Sequence, residues 1–465
     1  MSSFRISFVI LFMSITILNA QDQGGGPYVF ESNQKACYTE NERTNLLQKV
    51  KQNLNKLKKS HKTGKENSTQ THPLFIWPVK KSGQVNYHEL WTISNHVDHN
   101  PAYPNALTDY NGGTKTYDTT SGYNHKGLDI FAWPYSWTMM DQNNFNVVAA
   151  AEGTIIYKND GEFDQSCDFS NTDDWNAVFL QHTDGSVTWY GHLKKFGLTA
   201  KNVGDWVDEG EFLGVVGSSG VSTGPHLHFE VYEDITFTED KLIDPYVGTY
   251  NNWNTDSWWK NQKPYKNPTI NALTTNSAVP DFGTCPALET THEKNDFLLG
   301  ETVYTFVFLK DQLGTDLNVK IYNPLGNLTY NWSRDLTQDY SASYWYFSFN
   351  PNSVGNWTAE CTLSTGQIVY HNFSVNSTLS SNTEKTLNTK IYPNPVNDVL
   401  FISSPIKIKK AIIYNSLGKI VQLISDTQDN ETPMRSISTE NLKKGVYILV
   451  LKDGNNQTKT KMFSK

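Results

Sequence analysis

The chain has 465 residues, too many for one ordinary domain, so about two to four are expected. Its net charge of −8 and pI of about 5.8 argue against nucleic acid as a main partner. Past the N-terminus no stretch holds enough consecutive apolar residues to span a bilayer, which predicts no stable membrane insertion. Met1 to Ala20 reads as a signal peptide: Arg5 supplies positive charge, Phe8 to Ile17 the apolar stretch, and Ala20 the last residue before cleavage. Residues 21–71 are polar and rich in Lys, Asn and Gln. Within them Leu47, Val50, Leu54 and Leu57 recur at helical spacing. That predicts one amphipathic helix, either packed in cis on the next domain or part of a propeptide.

Residues 72–250 read as an antiparallel β domain. Strand-like runs include Val147 to Ala151, Thr154 to Tyr157, Ala177 to His182, Val187 to Tyr190, Phe212 to Val216 and His226 to Tyr232, separated by turn signals such as Glu152-Gly153 and Asp184-Gly185. Gly217, Gly220 and Gly224 let the chain turn tightly before the last of these runs.

The run Gly224-Pro225-His226-Leu227-His228-Phe229-Glu230 carries the most chemistry. As a strand it sends His226, His228 and Glu230 to one face, and Leu227 and Phe229 to a core. Two imidazoles on one face are either metal ligands or hydrogen-bonded histidines. Upstream, His125-Lys126-Gly127-Leu128-Asp129 sets a His and an Asp four residues apart, and Trp189-Tyr190-Gly191-His192-Leu193 supplies another histidine. One Asp and two His leave net positive charge on a divalent metal with an open position for water. A second His/Asp cluster, Asn95 to His99, is either a metal site or a loop held by side-chain hydrogen bonds. The helical H-E-x-x-H signature, the G-x-S-x-G elbow and a phosphate-binding loop are absent from the sequence.

Three motifs in order, H-K-G-L-D, Y-G-H-L and G-S-S-G-V-S-T-G-P-H-L-H-F-E, resemble the lysostaphin/LytM-type zinc endopeptidases from about Pro73 to Pro245. The resemblance implies a β-sheet groove flanked by loops, one Zn2+ per chain held by His125, Asp129 and His228, and catalytic roles for His192 and His226. One of those two would act as general base and the other would hydrogen-bond the oxyanion; the sequence does not say which. Tyr190, two residues before His192, is expected on the same strand face, either as a further oxyanion donor or as a half-buried tyrosine. Glu230 is either a partner orienting a ligand imidazole or a surface carboxylate at a strand end. Trp133, Trp137 and Trp175 lie near the motifs and line the groove or pack the core. The competing functional class is a non-catalytic surface module binding cell-wall glycan or peptide.

Residues 251–284 read as a connecting segment and 285–377 as an immunoglobulin-like β-sandwich, with short strands at sandwich-like spacing. Of four cysteines, Cys285 and Cys361 bracket that domain and are the favoured pair, leaving Cys37 and Cys167. Residues 378–386 form a Ser/Thr/Asn-rich linker. The segment 387–465 is a second small β-sandwich; its Tyr392-Pro393-Asn394-Pro395-Val396 and Leu442 to Tyr447 motifs resemble the C-terminal sorting domain of type IX secretion substrates in diderm bacteria. The fold class expected is therefore mainly β, an antiparallel groove domain followed by two small sandwiches. That tail implies export across the outer membrane by the type IX machinery, to the cell surface or beyond. The substrate expected is peptidoglycan peptides or an external protein rich in small residues.

Overall fold

The computed structural model describes residues 23–30, 40–59, 72–83, 85–168, 174–377, 389–404, 408–416, 418–425, 436–453 and 458–465. The signal peptide and the 378–386 linker expected from the sequence lie outside these residues, as does Cys37. The chain is mainly β and divides into two compact units, Met1–Ser377 and Thr378–Lys465.

The first unit is organised around an eight-stranded sheet. Its order runs Trp206–Val207, Gly153–Asn159, Ala177–Gln181, Val187–Gly191, His226–Tyr232, Leu128–Ala132 and Trp91–Asn95, with Leu242–Ile243 also paired to the His226–Tyr232 strand. Every pairing is antiparallel. One face carries Tyr190, Leu227, Phe229 and Ile130 into a large apolar core shared with a second, four-stranded sheet of Val79–Lys81, Phe145–Val148, Phe212–Val216 and Leu193–Leu198. The other face carries Trp189, Phe179 and Tyr232, and the Glu40–Lys59 helix packs there through Leu46 and Val50. The helical spacing of apolar residues thus marks a helix lying in cis on this domain. Leu46, not singled out by its sequence, is one of its two most buried anchors.

A β-sandwich completes the unit. One sheet has the order Gln23–Pro27, Tyr340–Phe349, Val303–Gln312, Thr269–Asn276; the other runs Asp296–Leu298, Ile368–Asn376, Gly355–Leu363, Thr315–Tyr322, Leu328–Leu336. The sandwich therefore draws strands from outside 285–377. The Gln23–Pro27 strand is invisible to periodicity because its three glycines have no side chains to alternate. It pairs Gly24 with Tyr346 and Gly26 with Tyr344 through backbone bonds alone. The sandwich is fused to the groove domain, since Phe306 and Phe308 lie in the shared core and the Trp133 indole donates to the Leu309 carbonyl at 3.0 Å.

The disulfide joins Cys167 to Cys285, and Cys361 is free and buried. The expected Cys285–Cys361 pair is corrected. Cys361 sits mid-strand with its side chain in the sandwich core, whereas Cys285 lies in the connection that passes the loop carrying Cys167. The second unit has a three-stranded and a four-stranded antiparallel sheet around a core that includes Leu400, Ile413 and Leu449.

Candidate metal centre

Strand register builds the centre. His228 lies directly opposite Asp129 across the ladder, and His226 opposite Phe131. The period of two gives His226, His228 and Asp129 one face. His125 precedes the Asp129 strand, its backbone N–H donating to Tyr117 and its carbonyl accepting from Asp98. His192 directly follows the Val187–Gly191 strand with φ of 58°, a left-handed backbone that swings its ring toward His226. The two rings lie 4.5 Å apart between centroids.

Hydrogen bonds to backbone carbonyls fix a proton on three of the four imidazoles. A carbonyl oxygen can only accept, so a ring nitrogen bonded to it carries the hydrogen. His125 Nδ1 donates to the His96 carbonyl at 2.7 Å, His192 Nδ1 to Ser219 at 2.6 Å, and His226 Nδ1 to Gly224 at 2.9 Å. His228 lies between two carboxylates, its Nε2 2.8 Å from Glu230 Oε1 and its Nδ1 2.7 Å from Asp129 Oδ1. The remaining nitrogens are Nε2 of His125, His192 and His226 and Nδ1 of His228. Those of His125 and His228 lie 3.1 and 2.7 Å from the Asp129 carboxylate and 3.4 Å from each other. Those of His192 and His226 have no hydrogen-bond partner among the described residues, and His226 Nε2 lies 3.7 Å from Asp129 Oδ1.

His125, Asp129 and His228 form a possible metal site: their ligand atoms all fall within 4.8 Å of one another, and no other such grouping occurs among the described residues. Tetrahedral bonds of about 2.0–2.2 Å would space neighbouring donors roughly 3.4 Å apart. The His125–Asp129 and His125–His228 separations of 3.1 and 3.4 Å fit that spacing. Glycine at 127 permits it, because a Cβ there would stand 2.7 Å from His228 Cε1 and 2.8 Å from its Nε2. Asn95 steadies the carboxylate, donating to Asp129 Oδ2 at 2.9 Å.

The electrostatics suit the same reading. Burial would raise the Asp129 carboxyl, but His125 and His228 outweigh it and hold it well below the carboxylate range. Burial, followed by the neighbouring His226 and His228, pushes His192 far below an ordinary histidine, and burial also lowers His226. Both are neutral at neutral pH and ready to accept a proton. Burial would raise Glu230 too; the bond to His228, that ring's charge and the Arg43 charge bring it down to about 2. It is a buried carboxylate facing the His228 imidazole, not a surface group at a strand end.

The structure gathers His125, Asp129, His192, His226 and His228 and leaves Tyr190 out. Tyr190 pairs in register with Phe229, packs in the core, and accepts the Ala150 N–H at 2.8 Å. Two residues along an ordinary strand share a face, but the left-handed turn at His192 breaks that alternation. The expected common face is corrected. Of the tryptophans, Trp175 reaches the centre, its ring 5.1 Å from His192 and 5.9 Å from His228. Gly191 makes room for it. Trp133 and Trp137 are buried away from it. The Asn95–His99 cluster is a hydrogen-bonded loop: His99 pairs with Asp244 at 2.8 Å, and Asp98 Oδ1 accepts the Asn100 and Thr108 N–H groups. Its contribution to the centre, Asn95 and the His96 carbonyl, had no motif to announce it. Phe30 was also missed. Its ring stands edge-on to His226 at 5.7 Å and stacks on Phe131 at 4.4 Å, and His226 is 1 % exposed.

Residues 123–245 match Peptidase family M23, and residues 390–465 match the secretion system C-terminal sorting domain. The chain carries an M23 peptidase domain. The chain is 32% identical across 126 residues to glycyl-glycine endopeptidase ALE-1 of Staphylococcus capitis, covering 27% of this chain and 29% of that protein. It is 49% identical across 55 residues to DD-carboxypeptidase/endopeptidase Mpg of Neisseria meningitidis serogroup B, covering 12% of each. The chain thus spans less than a third of the length of these curated relatives. The crystallised catalytic domain of lysostaphin from Staphylococcus simulans aligns at 25% identity and a TM-score of 0.22, covering 36% of this chain and 96% of that one. All five gathered residues of the centre fall inside the M23 segment; the helix and Phe30 that pack beside them fall outside it.

Proposed function

We propose that this chain is an exported zinc endopeptidase that cuts peptide bonds in peptidoglycan cross-bridges or glycine-rich peptides. The observation that carries the proposal is the grouping of His125, Asp129 and His228 as possible metal ligands, with the His192 and His226 rings beside them. His125 Nε2, Asp129 and His228 Nδ1 would hold the ion, one per chain. Zinc bound there would act as a Lewis acid toward the scissile carbonyl and acidify the attacking water.

The protein's own groups supply the proton traffic. His192 and His226 present neutral Nε2 acceptors, one of which takes the proton of the attacking water. Charged at that atom, it then becomes the donor to the leaving amine. In the tautomer that Ser219 and Gly224 enforce, neither histidine can donate from Nε2 until it holds two protons. An oxyanion hydrogen bond from the second histidine therefore requires the imidazolium form. Tyr190 takes no part, since its hydroxyl is turned into the core. This intact set favours catalysis over a binding module.

The relatives' names, a glycyl-glycine endopeptidase and a DD-carboxypeptidase/endopeptidase, support a cell-wall peptide as substrate. The sorting domain supports delivery by the type IX machinery to the cell surface or outside. No described helix is long and apolar enough to cross a membrane. A protein sent across the outer membrane no longer faces its own wall, so the substrate is another bacterium's wall or an external protein. The test is digestion of purified walls and of a glycine-rich protein, with and without a chelator, with new amino termini read by mass spectrometry. Chelator-sensitive cleavage is expected; a zinc-loaded protein that cuts neither refutes the substrate class.

A further inference from the structure

We infer that Arg43, on the N-terminal helix and outside the M23 segment, is a positioning residue for the metal centre, acting through Tyr232, Glu230 and His228. The inference rests on His228 being a metal ligand. Arg43 Nη2 donates to the Tyr232 hydroxyl at 2.6 Å and to the Phe237 carbonyl at 2.7 Å. The Tyr232 hydroxyl donates to Glu230 Oε2 at 2.5 Å, and Glu230 Oε1 accepts the His228 Nε2 hydrogen at 2.8 Å. Tyr232, Glu230 and His228 are all buried.

The direction of this chain is set at its far end. A guanidinium has only donors, so the Tyr232 oxygen must accept from Arg43 and its one proton must point to Glu230. Glu230 is then an acceptor on both oxygens, from the Tyr232 hydroxyl and from His228 Nε2. That bond holds the ring with Nδ1 toward Asp129, 2.7 Å away, the atom an ion would take. Without the arginine, Tyr232 is free to turn its proton elsewhere, and Glu230 loses the Arg43 cation beside its hydroxyl partner. The His228 ring is then held less firmly at Nε2, and Nδ1 is less well aimed at the ion.

The helix is built to hold Arg43 in place. Arg43, Leu46 and Val50 lie three and four residues apart on one face, and Leu46 and Val50 are buried beside Trp189 and Tyr232. The guanidinium carbon sits 5.4 Å from the ring centroids of both Trp189 and Tyr232. A segment that orients a ligand is part of the working enzyme.

The test uses full-length protein with Arg43→Met, Arg43→Lys, Tyr232→Phe and the Arg43→Met/Tyr232→Phe double variant. Lys49→Ala, on the same helix with its ion pair to Asp174, is the control. Zinc affinity is read by competition with a chelating indicator, and ligand geometry by the absorption spectrum of the Co2+-substituted protein. Arg43→Met and Tyr232→Phe should each weaken zinc binding roughly 10-fold or more. The double variant should be no weaker than the worse single one, because both break one chain. Arg43→Lys should recover part of the affinity, and Lys49→Ala should match wild type. Folded Arg43→Met and Tyr232→Phe proteins with wild-type affinity and cobalt spectrum would overturn the role of Arg43. So would two additive losses. Should Arg43→Met fail to fold, Tyr232→Phe and Arg43→Lys decide by the same readouts. A wild-type protein that binds no zinc would instead overturn the metal centre itself.

Discussion

Gly127→Ala places one methyl group against the centre without touching a ligand's chemistry. The added Cβ would meet His228 Cε1 at 2.7 Å, Nε2 at 2.8 Å and the Phe229 carbonyl at 2.9 Å, all closer than carbon tolerates. Gly127 is not among the residues with positive φ, so backbone strain does not enter. The His228 ring cannot simply retreat, because Glu230 and Asp129 hold its two nitrogens at 2.8 and 2.7 Å. Overpacking of this kind costs about 1–3 kcal/mol. Against it stands about 0.4–1 kcal/mol from a stiffer unfolded chain. The net expectation is a fall of about 1–2 kcal/mol in stability. Zinc affinity should drop roughly 10- to 100-fold if the ring moves off its Glu230 bond. Gly83→Ala is the control, since a Cβ there meets nothing within 4 Å. Thermal melts and chelator competition measure both quantities. A Gly127→Ala protein that holds zinc as tightly as wild type would refute the argument that His228 is pinned where the ion must bind.

Other substitutions separate the remaining roles. His228→Ala should lose both zinc and turnover, whereas His226→Ala should keep zinc and lose most turnover; equal zinc loss in both would mean ligand and catalytic histidines are interchanged. Phe30→Ala removes a ring that covers His226 and Phe131. An aromatic contact is worth about 0.5–1.5 kcal/mol, so kcat/KM on a peptide should rise roughly 2- to 10-fold if substrate must displace it; an unchanged or lower value would show that Phe30 does not stand in the substrate's way. Cys167→Ser/Cys285→Ser opens a loop spanning 118 residues. A disulfide typically stabilises by about 2–4 kcal/mol. The double variant should therefore melt several degrees lower, and an identical melting temperature would count against that bridge in the native protein.

The sequence by itself determined the chemistry of the centre. The H-x-H alternation and the four-residue step from His125 to Asp129 are local, so strand geometry alone aligns His226, His228 and Glu230 and points Leu227 and Phe229 inward. It also marked the helix over Leu47, Val50 and Leu54, because a buried face leaves a 3.6-residue period. Tertiary structure decided what no local pattern encodes. The left-handed backbone at His192 turned Tyr190 into the core, a single dihedral overriding the period of two. The Gln23–Pro27 strand is held by backbone bonds and leaves no side-chain signature. Cys167 met Cys285 because the connection to the sandwich passes the loop beside the centre, and sequence separation carries no record of that approach. Arg43 reached Tyr232 across 189 residues for the same reason: which distant side chains meet is fixed only when the sheets, the helix and the sandwich close on one another.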